Sequence, residues 1–111
     1  MAVGLPSSMV TSFELATTDE LERGFIRALC SVYPSQIKAY EIMRRIGLAE
    51  PSRRDYLGAG CVRAYSNLIK FHNLRIRVSE LLVSFGWQVE RTGGLVTDAY
   101  WVVFKGHREA A

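Results

Sequence analysis

The chain has 111 residues, of which 49% are hydrophobic, with 14 Lys and Arg against 11 Asp and Glu and a net charge of +3. That length fits one domain, and the apolar fraction suffices to offset chain entropy, which excludes a disordered chain. No stretch approaches about 18 consecutive apolar residues, so no membrane partner is expected, and MAVGLPSSM lacks the basic and apolar regions of a secretory signal, so a cytoplasmic setting is expected.

Residues 1–9 are small, polar or Gly/Pro-bearing and read as an N-terminal tail, with 10–106 as a single domain and 107–111 as a C-terminal tail. MVTSFEL (9–15) alternates and is expected as a short extra N-terminal strand. Thr17 stands three residues before Glu20, a capping box that opens a helix with the stripe Leu21, Phe25, Leu29 and Val32; Pro34 ends it. Ser35 caps a second helix, with Ile37, Tyr40 or Ala39, Met43 and Ile46 on one side and Gly47 as the stop. AEPSRRDYLGAG (49–60) is rich in breakers and reads as a loop.

CVRAYSNLIKF (61–71) is amphipathic, with Cys61, Val62, Tyr65, Leu68 and Ile69 on the apolar face and Phe71 to the side. After His72 and Asn73, LRIRVSELLVSFG reads as a fourth helix carried by Leu74, Val78, Leu81, Leu82 and Phe85, and closed by Gly86. WQVERT and AYWVVFK then flank GGLVTD as a C-terminal β-hairpin. Its second strand is apolar on both faces, which suits packing on the helices, pairing with 9–15, or a homodimer interface through the hairpin.

No GxSxG, P-loop or strand-borne GxGxxG is present, and His72 and His107 are isolated, so neither an enzyme nor a cofactor is expected. Cys30 and Cys61 fit no metal spacing and read as two reduced thiols. Charge is the stronger signal. Residues 44–77 hold eight Lys and Arg against two Asp and Glu, whereas 1–43 hold three against five and 78–111 three against four. The whole basic excess therefore lies in the middle block, which suits an anionic partner, nucleic acid first, and equally a solvated face.

Within that block Arg63, Asn67 and Lys70 are spaced i, i+4, i+7 and line the polar face of a helix. Arg and Asn can make bidentate contacts with guanine and adenine, and Lys and Arg anchor phosphates, although the same residues are common on any wet helix face. Arg75 and Arg77 flank the stripe at the start of the fourth helix, where free N–H groups would add to phosphate contact; the plainer role is snorkelling over the core. Arg53 and Arg54 add charge in the loop, while Arg44 and Arg45 are sufficiently explained by a helix C-terminus. Arg91, beside Gly93 and Gly94, can approach a sugar-phosphate backbone from the hairpin tip, against the acidic neighbours Glu90 and Asp98.

This order of elements resembles the winged helix-turn-helix DNA-binding domains over residues 18–105. LLVSFGWQVERTGGLVTDAYWVVFK is similar to the end of a recognition helix, a glycine and a hairpin wing, whereas CVRAYSNLIKF after its loop is similar to the recognition helix of response-regulator output domains. The resemblance implies a small α+β, winged-helix-like domain of about four helices followed by a hairpin, binding duplex DNA as a dimeric regulator. The reader is then either 61–71, or 74–85 with Ile76, Ser79 and Val83 facing outward. The pattern departs from the family in having four helices before the hairpin rather than three. A different expectation is a protein-interaction module, an adaptor or inhibitor, for an acidic protein partner. A third is an RNA-binding component stacking bases on Tyr33, Tyr40, Tyr56, Tyr65 and Phe71.

Overall fold

The computed structural model describes residues 3–48, 61–93 and 98–106, with 61–65 described by their backbone alone. Helix α1 (Ser7–Leu15) occupies the segment whose alternation predicts a strand. Met9, Val10 and Phe13 also fit one helical face; Phe13 is buried and the other two pack on the core. Seven residues barely separate the two periods.

Helix α2 (Glu20–Ser31) begins two residues later than the Thr17 capping box predicts. Asp19 is the cap: its Oδ1 accepts from the N–H of Leu21 at 2.8 Å and of Glu22 at 3.1 Å. Thr17 supports it one step back, its hydroxyl accepting from Asp19 N–H and donating to Glu22 Oε1. Phe25, Ile26, Ala28, Leu29 and Cys30 are buried along this helix, a wider face than the predicted stripe.

The second predicted helix starts too early. Ile37–Lys38 form a short strand, β1, and helix α3 covers only Ala39–Ile46. Ser35 therefore caps nothing. The reason is tertiary: Ile37 pairs with Tyr100 and Lys38 with Ala99, and the Ala39 N–H donates to the Asp98 carbonyl at 2.8 Å. Ladder bonds with a distant strand outweigh a modest helix preference. Ala39, Ile42 and Met43 are buried, Tyr40 is exposed, and Gly47 ends α3 with φ +84°.

Helix α4 runs unbroken from Cys61 to Val83, through the predicted break at His72 and Asn73. Neither residue is a breaker, and at 1.5 Å per residue the helix is about 34 Å long. Its core line is Phe71, Leu74, Val78 and Leu82, all buried. Phe71, expected at the side, is thus central, and Ile69, expected inside, is exposed. The chain then turns at 84–86, with Gly86 at φ +87°, into β2 (Trp87–Arg91) and β3 (Ala99–Phe104).

The sheet is antiparallel in the order β1-β3-β2, with Trp87 opposite Phe104 and Arg91 opposite Tyr100. The doubly apolar strand is explained by that order, since β3 is central and Tyr100 and Val102 face the helices. Phe25 stacks on Phe71 at 5.3 Å, and Tyr100 meets both edge-on, which joins α2, α4 and β3. A second aromatic group centres on Trp87, which contacts Phe13, Tyr33 and Phe104 and fastens α1 to the hairpin. The result is a small α+β domain with four helices and a three-stranded sheet among the described residues.

Candidate nucleic-acid interface

Continuity of α4 decides how the predicted contact residues relate to one another. Each residue advances about 100° around the axis. Lys70 and Arg77, seven apart, fall on one exposed side of the core line. Arg63 shares that side by its spacing, though its side chain lies outside the described residues, as do Arg53 and Arg54 altogether. Asn67 falls nearer the core line and is half-buried, with a partner inside the protein.

Arg75 and Arg77 do flank the core line, but on opposite sides of the helix. Arg75 is half-buried and its Nη2 lies 3.1 Å from His72 Nδ1. Arg77 reaches across to α2, where its Nε is 3.3 Å from Glu22 Oε2. No helix begins at residue 74, so the free N–H groups expected there do not exist; those amides lie inside a continuous helix.

Ion pairing reduces the raw basic excess. Arg44 and Arg45 both meet Glu41, at 3.1 and 3.2 Å, and Arg45 also donates to the Ser31 hydroxyl. Arg23 pairs with Glu20, Arg27 with Glu14 and Lys105 with Glu90. Lys38, Lys70 and Arg75 have no ion pair among the described residues, and Lys70 is the one that lies on the predicted reading face. Surface pairs of this kind are weak and exchange readily with phosphate.

The hairpin holds the feature that sequence reasoning missed. Arg91 Nη1 donates to Asp98 Oδ2 at 2.8 Å; the carboxylate is 1% exposed and the guanidinium 42%. The Tyr100 hydroxyl stands 3.5 Å from the same oxygen. A narrow cleft of about 50 Å³ runs alongside, bounded by Leu68, His72, Arg75 and Tyr100. Burial pushes the Tyr100 phenol upward, and the nearby Asp98 charge adds to that. Arg91 is thus held by a buried acid rather than extended from the tip. The sequence signal was one acid just before an apolar strand, two residues from Tyr100, the cross-strand neighbour of Arg91.

Among the described residues no cluster of three or more His, Cys, Asp or Glu could hold a metal ion, and no helix is long and apolar enough to cross a membrane. Cys30 is a free, buried thiol. The chain matches no protein-family model, no curated protein and no solved structure.

Proposed function

We propose that this domain binds duplex DNA as a cytoplasmic, non-enzymatic regulator of the winged helix-turn-helix kind. The observation that carries the reading is the stretch 66–70 of α4, which precedes its core line. Residues 66–70 of that helix include no buried residue, and the first core residue of α4 among the described ones is Phe71. A helix about 10–12 Å wide fits a major groove about 12 Å across, and recognition helices use their N-terminal residues on base edges. Arg63, Asn67 and Lys70 lie in the first three turns of α4, and Arg53 and Arg54 precede it in the sequence.

Support also comes from the element order: α2, β1, α3, α4 and then the β2–β3 hairpin, with β1 beside β3. With α1 outside that unit, three helices precede the hairpin among the described residues, as in the family the sequence resembles. Lys70 and Arg63 serve as the phosphate and base contacts, Arg77 as a phosphate contact when it leaves Glu22, and Arg91 at most as a peripheral one.

Fluorescence anisotropy on a labelled duplex across salt tests the reading. Arg63→Ala/Lys70→Ala should lower the slope of log K against log salt by about 0.9 for every phosphate that the two side chains neutralise. Arg23→Ala/Arg27→Ala should leave the slope unchanged. Equal, negligible effects from both pairs would reject DNA as the partner. Binding of an acidic peptide in place of the duplex would favour the protein-interaction module.

A further inference from the structure

The geometry points to α4 as a self-association helix that pairs antiparallel with α4 of a second copy, with the two-fold axis at Ile76. Ile69, Ile76 and Val83 are exposed by 46%, 39% and 47%. They repeat every seven residues, so they form one line along the helix, well away from Phe71, Leu74, Val78 and Leu82. None of the three serves the core, and none lies on the Lys70 and Arg77 side. This proposal therefore does not depend on DNA binding.

The occupant follows from symmetry and charge. An evenly spaced line of three is self-complementary when reversed about its middle member. Ile76 then meets Ile76 of the second copy, and Ile69 meets Val83 at both ends. In the same register His72 stands level with Glu80 of the second copy, twice over. Both are exposed and border the apolar line on either side. His72 Nδ1 accepts from Arg75, so the ring proton sits on Nε2, the nitrogen free to donate to a carboxylate. Arg75 and Arg77 also come level across the pair, but each is turned from the seam towards its own partner, His72 or Glu22.

Shape agrees with charge. An open groove of about 660 Å³ begins at Ser79 and Val83 and continues over Gly86, Val89 and Lys105. In the reversed register the part of that groove from Val83 to Gly86 lies level with residues 66–69 of the second copy. Those residues precede Phe71, and none of them is buried. Each copy thus offers the Ile69 side of residues 66–69, turned away from Lys70, and a groove along which the other copy's can lie.

Sedimentation velocity of the full chain up to hundred-micromolar concentration should give a species of twice the 12.5 kDa mass. Ile76→Glu should weaken that dimer at least about tenfold while the thermal transition of the monomer stays intact, because residue 76 is outside the core. Glu80→Arg should weaken it also, and His72→Glu/Glu80→Arg should restore it. In a Cys61→Ser background, Ile76→Cys should cross-link to itself under mild oxidant, whereas Phe104→Cys should not. A monomer at all concentrations overturns the proposal, as does a dimer that Ile76→Glu leaves unchanged or that cross-links through Phe104→Cys.

Discussion

Arg91 and Asp98 clamp the loop end of the hairpin with one charged hydrogen bond of 2.8 Å, between an exposed guanidinium and a buried carboxylate. The second carboxylate oxygen, Oδ1, has no hydrogen-bond partner among the described residues. The Asp98 main chain is engaged as well, its carbonyl accepting from Ala39 at the start of α3. The pair therefore anchors the strand at the point where β1, α3 and β3 meet, and removal of Arg91 leaves a charge in an apolar setting.

Arg91→Met should accordingly destabilise the domain by about 2 kcal/mol, less than for a fully buried pair because the guanidinium is partly in water. The double variant Arg91→Met/Asp98→Leu should cost less than Arg91→Met alone, since no buried charge is then orphaned. Urea unfolding of the three chains checks this. A double variant worse than the single one would mean that the carboxylate is held by something other than Arg91.

Phe71→Ala should cost about 3–5 kcal/mol, because it removes a buried ring stacked on Phe25 and set against Tyr100. Ile69→Ala, two residues earlier on an exposed face, should change the stability of the monomer by less than about 0.5 kcal/mol. Thermal unfolding at low protein concentration separates the two. Comparable losses would place the core line of α4 on the wrong side.

Gly86→Ala should destabilise by about 1–2 kcal/mol, with two separate causes. The backbone there is left-handed, at φ +87°, and an added Cβ would lie 3.1 Å from the Gly106 carbonyl carbon and from the Phe104 ring. The Gly86 carbonyl also accepts from the N–H groups of Lys105 and Gly106, so no easy backbone shift is open. At Gly47, φ is +84° but nothing lies within 4 Å of an added Cβ, so Gly47→Ala should cost less. Parallel denaturant titrations test that order.

Cys30 supplies a pH dependence. Burial, and secondarily the Glu14 charge, pushes its thiol up to about 12, well above the ~8.5 of an unfolded thiol. The folded pKa is the higher one, so the protonated thiol favours the native state. That contribution is complete below the unfolded value and is lost as pH rises from there towards about 12. In a Cys61→Ser background, thiol labelling at about pH 8 should proceed only through unfolding, and Cys30→Ala should flatten the fall in stability at alkaline pH. Rapid labelling of the native chain would contradict the burial.

Local chemistry was legible from the sequence where it was decisive in itself. The face of α2 around Phe25 and Leu29, the glycine stop at Gly47 and the two β-rich runs of the hairpin stand as expected, whereas α4 ends at Val83, before the expected stop at Gly86. Periodicity divides α4 into two helices because it carries two apolar lines, Phe71 to Leu82 inside and Ile69 to Val83 outside. A window that spans both loses phase at residues 72–73. The expected total of four helices agrees with the total among the described residues only because that division offsets helix α1, which reads as a strand.

Of the candidate contacts, the sequence determined charge and spacing: a basic central block, and Arg63, Asn67 and Lys70 on successive turns of one helix. Tertiary structure alone decided which cations are engaged, because partners such as Glu22 for Arg77 and Asp98 for Arg91 arrive from other elements. It also decided that Ile37–Lys38 would be a strand and 7–15 a helix. Each segment is too short for its own periodicity to settle its state, so the available sheet edge and the buried surface settle it instead.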